Sequence, residues 1–159
     1  MTIYPLFAVA LLAASPPSEF DRYAAEATLV GAPAPPKLVA PEARRFRSVL
    51  RSAAEEGPDF NGHYRIAHWG CGSGCARWAI IDLQSGDVWM SPDEAYAWWS
   101  PDIPPDLKEP DRFEARVGSS LLYLNLSSHR RTDRTFDTRK VFVWERGALR
   151  LLRTEDLDY

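Results

Sequence analysis

The chain holds two cysteines, Cys71 and Cys75, separated by Gly72-Ser73-Gly74, and three histidines, His63, His68 and His129. Thiol, imidazole or metal chemistry would have to be built from these. A redox dithiol normally uses C-x-x-C at a helix N-terminus, where the dipole favours the thiolate. Here the spacing is C-x-x-x-C, between two apolar and aromatic runs, His63 to Trp69 and Ala76 to Leu83. A zinc site needs four ligands, which the cysteines and scattered histidines supply poorly, so no metal or cofactor is expected. A Cys-His hydrolase also meets a geometric obstacle. His63 is eight residues from Cys71, about 26 Å along a straight strand, and His68 is an odd number of residues away, so alternation turns it to the opposite face. Gly72-Ser73-Gly74 is not the strand-turn-helix G-x-S-x-G elbow.

What this spacing does suit is a staple. Four extended residues would hold the two Cα atoms roughly 13 Å apart, so a Cys71–Cys75 disulfide requires the chain to reverse, and the glycines supply the positive φ of a tight three-residue hairpin loop. In that register the cysteines face each other, Trp69 stands opposite Arg77, His68 opposite Trp78, Ile66 opposite Ile80 and Tyr64 opposite Asp82, each a sensible cross-strand pair. A bridge closing so short a loop contributes only about 2 kcal/mol, so its main effect is on the loop's shape. The backbone N–H groups of Gly72, Ser73 and Gly74 could meet an anion or a partner's carbonyl, with Trp69 and Arg77 at the base as residues typical of interface hot spots. The competing arrangement packs Trp69 in the core with Arg77 covering it. At the far end His63, Tyr64, Arg65 and Asp82 gather, with Tyr64 expected to hydrogen-bond Asp82, and an acid-base role for His63 would need a pocket there.

The elements that position these groups can be read on either side. Residues Ser15 to Pro41 carry prolines at 16, 17, 33, 35, 36 and 41, which predicts an extended arm lying on the domain, with a short helix within Glu19 to Leu29. Pro41 then opens an amphipathic helix whose apolar face is Phe46, Val49, Leu50, Ala53 and Ala54, with Arg44, Arg45, Arg47 and Arg51 outside, ending at Gly57-Pro58. After the central hairpin, Gln84-Ser85-Gly86-Asp87 predicts a type I turn with Gly86 in the left-handed region, leading to a strand Val88 to Met90. Pro92 to Pro110 is a loop with Tyr96, Trp98 and Trp99, of which one tryptophan is expected to cap the core and the other to lie outside as a contact patch. Two further hairpins follow, Phe113 to Leu126 and Lys140 to Arg153, with Val141, Val143, Leu149 and Leu151 as core candidates and a polar, arginine-rich loop between them. The acidic tail Glu155 to Tyr159 is expected to fray.

With 159 residues, 45% of them hydrophobic and 12% aromatic, the chain has material for one globular domain. A net charge of −3 offers nothing to attract nucleic acid. The first fourteen residues, MTIYPLFAVALLAA, have no charged side chain and an apolar run too short to span a bilayer, which predicts a signal peptide over residues 1–14. No lipid-attachment cysteine follows it, and no membrane span remains after cleavage. Export also favours a disulfide over free thiols.

The segments F-N-G-H-Y at Phe60 to Tyr64, W-G-C-G-S-G-C at Trp69 to Cys75 and D-L-Q-S-G-D-V at Asp82 to Val88 resemble the core of an uncharacterised family of small exported bacterial proteins with an N-G-H-Y … W-G-C-G-x-x-C pattern. The resemblance implies export and carries no activity, ligand or catalytic residue.

The expected architecture is α+β, an N-terminal helix packed on one antiparallel meander sheet of about six or seven strands, with residues 1–14 a signal peptide, 15–40 a proline-rich arm and 41–159 a single domain. The expected function is a periplasmic or secreted binding or inhibitory module, with the reading leaning away from an enzyme and leaving catalytic activity open. It would present Trp69, Gly72, Ser73, Gly74, Arg77 and His63 around a Cys71–Cys75 bridge to a protein or cell-envelope ligand. The alternative is a small envelope hydrolase using His63 and Asp82 with Ser73 or Cys71.

Overall fold

A computed structural model describes residues 17–159; the expected signal peptide lies outside the described residues. The described residues form eight strands in two four-stranded antiparallel sheets. In the first, β1 (Tyr64–Gly72) pairs with β2 (Cys75–Asp82), and the other edge of β2 is shared by β3 (Val88–Met90) and β4 (Ala95–Tyr96). The second is a meander of β5 (Phe113–Ala115), β6 (Leu121–Leu126), β7 (Thr138–Glu145) and β8 (Ala148–Asp156). The α+β class with antiparallel pairing holds. The single sheet does not, because the chain leaves β2's edge after Tyr96 and starts a new sheet at Phe113.

Alternation explains the layers. On β1 and β2 the residues Tyr64, Ile66, Trp78 and Ile80 face one way and pack against Leu122, Leu124 and Trp144 of the second sheet, with Phe60 between them. Ala67, Ala79 and Ile81 face the other way, where they meet Ala43, Leu50, Ala53 and Ala54 of the helices. Strand β2 is thus covered on both faces, which is why its sequence CARWAIID has a nearly continuous apolar run. The outer face of the second sheet, Leu121, Tyr123 and Val141, is closed by Phe20 of the arm.

The helix is neither continuous nor N-terminal. It divides into α1 (Pro41–Arg45) and α2 (Arg47–Glu55) at Phe46, whose backbone (φ −102°, ψ 23°) leaves the helical region. The amphipathic spacing runs unbroken through that position, so pattern alone does not reveal the break. Ahead of it, the expected helix within Glu19–Leu29 shrinks to one 3-10 turn, Glu19–Arg22. From there the arm is extended. Ala24 bridges Ser119, Leu29 N–H donates to Gly62 O, Ala34 N–H to Leu83 O and Lys37 N–H to Gly86 O. Gly62 (φ +81°) is required there, since a Cβ would lie 2.5 Å from the Ala27 carbonyl oxygen.

Two further expectations change. Leu151 is 48% exposed, because a register shift between Val141 and Phe142 leaves β8 as a twisted edge. The tail does not fray. Leu157 is buried with its N–H on Asp137 O, and the Tyr159 hydroxyl donates to Phe136 O at 2.9 Å. No helix among the described residues is long and apolar enough to cross a membrane.

Candidate functional site

The central hairpin has the expected register from Tyr64↔Asp82 to Gly70↔Ala76, and a Cys71–Cys75 disulfide closes it with Cα atoms 5.2 Å apart. The tip differs by one residue. Gly72, not Cys71, pairs with Cys75, so Cys71 occupies a bulge. A bulge lets the chain reverse through Ser73-Gly74 while preserving the alternation below it. Cys71, Gly72, Ser73 and Gly74 are all exposed. Gly74 (φ +68°) has no room for a Cβ against the Ala97 carbonyl, while Ala97 N–H donates to Gly74 O at 2.8 Å.

That bond anchors a second exposed feature beside the loop. Tyr96 pairs with Cys75, and Trp98 N–H donates to Thr135 O in the loop before β7, so the backbone from Tyr96 to Trp98 is tied at both ends with its large side chains outside. Tyr96 is 43%, Trp98 40% and Trp99 79% exposed. The expected core-capping tryptophan is therefore absent from this pair, and the buried Ala95 and Ser100 occupy the inward positions. Trp98 keeps an edge contact with His129, centroids 5.1 Å apart.

Trp69 and Arg77 lie at the base of the loop, engaged with the helix layer. Trp69 packs on Phe46, and Arg77 pairs with Glu42 at 2.5 Å and reaches Glu94 at 4.0 Å. The carboxylate of Glu94 lies within 4.8 Å of both sulfurs. Joined as a disulfide, those sulfurs offer no thiolate to a metal.

The other end of the hairpin carries the second cluster. His63 Nδ1 lies 2.5 Å from the Ala27 carbonyl oxygen, an acceptor, so that nitrogen carries the proton. Nε2 is 3.5 Å from Asp82 Oδ1, and the ring lies 4.3 Å from that of Tyr64. The Asp82 carboxylate also accepts from Gln84 N–H (2.8 Å), Ser85 N–H (3.1 Å) and Ser85 Oγ (2.7 Å), which fixes the turn at Gly86 (φ +84°). Tyr64 is bonded elsewhere than expected: its hydroxyl donates to Glu26 at 3.4 Å, not to Asp82. Burial, reinforced by the carboxylates of Glu26 and Asp82, holds that phenol above the ordinary tyrosine range. Ser73 and Cys71 stand at the far end of β1, about 26 Å away by strand rise.

His68 points to the side of Trp78 and stacks on Phe113 with centroids 5.1 Å apart. Burial first, then Arg112 and Arg65, lowers its pKa below the ordinary imidazole value.

A cleft of about 290 Å³ opens next to Asp82, walled by Tyr64, Trp89 and Trp144. Sequence reasoning did not find it, because Trp89 and Trp144 come from different sheets and no local pattern links them. Comparisons with family models, curated proteins and solved structures return no match.

Proposed function

We propose that the protein is an exported, periplasmic or secreted, binding or inhibitory module that presents the Cys71–Cys75 loop to a protein or cell-envelope ligand. The observation that carries this is the contiguity of the pinned, exposed loop with the exposed aromatics Tyr96, Trp98 and Trp99, tied together through Cys75↔Tyr96 and Ala97 N–H to Gly74 O. Exposed aromatics on a preorganised backbone are what binding energy is commonly concentrated in. The apolar N-terminal run and the family resemblance support export. Trp69 and Arg77 serve the loop from beneath.

A hydrolytic role for His63 and Asp82 has less support. Their proposed nucleophiles are at the opposite end of the hairpin, and the hydroxyl that does reach Asp82, on Ser85, donates to it within a turn.

Photocrosslinking tests the proposal. A crosslinker placed at Ser73 should trap an envelope component that one placed at Leu151, on the outer edge of the second sheet, does not. Trp98→Ala with Trp99→Ala should abolish the adduct in folded protein. Equal trapping from both sites, or an adduct indifferent to the tryptophans, would overturn it.

A further inference from the structure

Strand β1 has a free outer edge. Its residues Arg65, Ala67 and Trp69 lie opposite Ile81, Ala79 and Arg77 of β2, and on that side the His63 carbonyl accepts from Leu83 N–H. In an antiparallel pair the intervening residues turn their backbone groups away from the partner, which here are Ile66, His68 and Gly70. One residue closes the start of that outer edge. Asp59 N–H donates to Tyr64 O at 3.1 Å, and the Asp59 carboxylate accepts from Ile66 N–H at 2.9 Å. Beyond it, Ile66 O and the N–H and C=O of both His68 and Gly70 have no partner among the described residues. His68 and Gly70 are exposed, and neither proline nor lysine interrupts Ile66 to Gly72, although such residues commonly blunt an edge.

Two features flank this edge. On the α2 side a groove of about 470 Å³ is lined by Val49, Ser52 and Ala53 of the helix and by Arg65 and Ala67 of β1. The small Ala67 leaves it open, and Glu56, the acid in its wall, is already paired with Arg65. On the opposite face the His68 ring stacks on Phe113. The neighbouring Arg112 is partly buried, its guanidinium 3.4 Å from Gly74 O, and it makes no ion pair among the described residues. An added strand places alternate side chains on the two faces of the sheet. A strand that completes this edge therefore carries apolar residues over α2 and a carboxylate beside Arg112, while its backbone supplies what His68 and Gly70 lack. A second copy of the chain does not meet these conditions, because its own edge, Ile66 to Gly72, has no acid to offer Arg112. We infer that the outer edge of β1, from Ile66 to Gly70, binds an extended acidic peptide of a partner protein by strand addition. Tyr96, Trp98 and Trp99 take no part in this contact, so it holds or fails independently of the loop interface.

The test is titration of the intact protein with the peptide acetyl-Thr-Val-Glu-Val-Thr-amide, followed by backbone amide resonances in proton–nitrogen correlation spectra. Directly opposite residues share a face, so the glutamate lies across from His68 and its two valines lie over α2. One comparison peptide has lysine for the glutamate, and another is N-methylated at the glutamate and the last threonine. The His68 and Gly70 amides should shift saturably with the acidic peptide. The lysine peptide should bind about tenfold more weakly, and the N-methylated one at least as poorly. Gly70→Pro removes an outward N–H at a position where an edge strand tolerates proline, and should weaken binding about fivefold. Arg112→Gln should weaken it about tenfold and erase the preference for glutamate over lysine. Arg44→Gln, the same charge change at an exposed position of α1, should leave it unchanged. No saturable shift with the acidic peptide, equal binding of either comparison peptide, or equal weakening by Arg44→Gln would overturn the assignment. A dimer in sedimentation that Gly70→Pro dissolves would also overturn it, by giving the edge to a second copy. Crosslinking from Ser73, which reads the loop interface, is a separate measurement.

Discussion

Trp69 stacks on Phe46, ring centroids 4.6 Å apart and planes tilted by 36°. The contact joins the base of the stapled loop to the break between α1 and α2, where Phe46 ends one helix and begins the next. The indole therefore works on the helix layer more than on a partner. Trp69→Ala should destabilise the fold by about 2 kcal/mol, below the full cost of a buried aromatic because Trp69 is only partly buried. Urea unfolding measures it. Folded Trp69→Ala protein should retain the partner contact made through Trp98 and Trp99.

Gly74 is the loop position with least tolerance. Its φ of +68° and the Ala97 carbonyl against its Cβ direction combine two penalties in one substitution. Gly74→Ala should cost more than the ~1 kcal/mol of left-handed backbone alone, while Gly118→Ala, with nothing near its Cβ, should cost little. The difference between the two midpoints in denaturant tests the claim. Equal midpoints would show that the strap from Tyr96 to Trp98 can lift off the loop.

The disulfide spans a loop short enough that its stability effect is predictable. Replacing both cysteines by alanine should cost about 2 kcal/mol by the chain-entropy estimate, with folding retained because Ala76 to Asp82 still pairs along β1. The larger effect should fall on crosslinking from Ser73, since the loop loses its fixed shape. Unfolding curves with and without a dithiol reductant should reproduce the difference in the unmutated chain.

The hairpin register was legible because alternation and the Cys-Gly-x-Gly-Cys tip agree, so that Tyr64, Ile66 and His68 find their partners without long-range information. The turn at Gly86 and the pairing of β7 with β8 were legible for the same local reason. The second sheet was not. Nothing in Pro92 to Pro110 reports that Ala95–Tyr96 returns to the edge of β2, or that Phe113 begins a separate sheet. The sequence pattern places Trp69 equally well in core or contact, and its packing on Phe46, which comes from another element, is not readable from the hairpin. The cluster at His63 was half legible: Asp82 is its cross-hairpin neighbour's partner by register, but Ala27 and Glu26 arrive from the arm. A proline-rich stretch carries no periodicity from which its docking site could be read.

The arm's attachment to the second sheet should be pH-dependent. Glu19 receives two bonds of 2.7 Å from the Arg153 guanidinium and one of 2.6 Å from the Tyr123 hydroxyl. These donors, Arg153 first, hold its carboxyl down from the ordinary 4.5 to about 2. A depressed carboxyl binds its proton less tightly in the folded chain than in the unfolded one. Its contribution is therefore complete above the unfolded value and is lost as pH falls from about 4.5 towards about 2. The bidentate geometry places the contribution near the top of the range for exposed pairs, about 1 kcal/mol. Glu19→Gln should lower the melting temperature at neutral pH and converge with the unmutated chain near pH 2. Tyr123, pushed up to about 12 by burial and then by Glu19, adds an opposite limb: a raised phenol stabilises the fold below its ordinary 10 and ceases to do so as pH rises through about 12. Because Phe20, one residue from Glu19, closes the outer face of the second sheet beside Tyr123, acid should release the arm before the sheet itself. The amides of Ala25 and Ser120, whose N–H groups bond Gly118 O and Tyr23 O between arm and sheet, should then lose exchange protection below about pH 4 ahead of β6 and β7, and simultaneous loss in arm and sheet would refute the order.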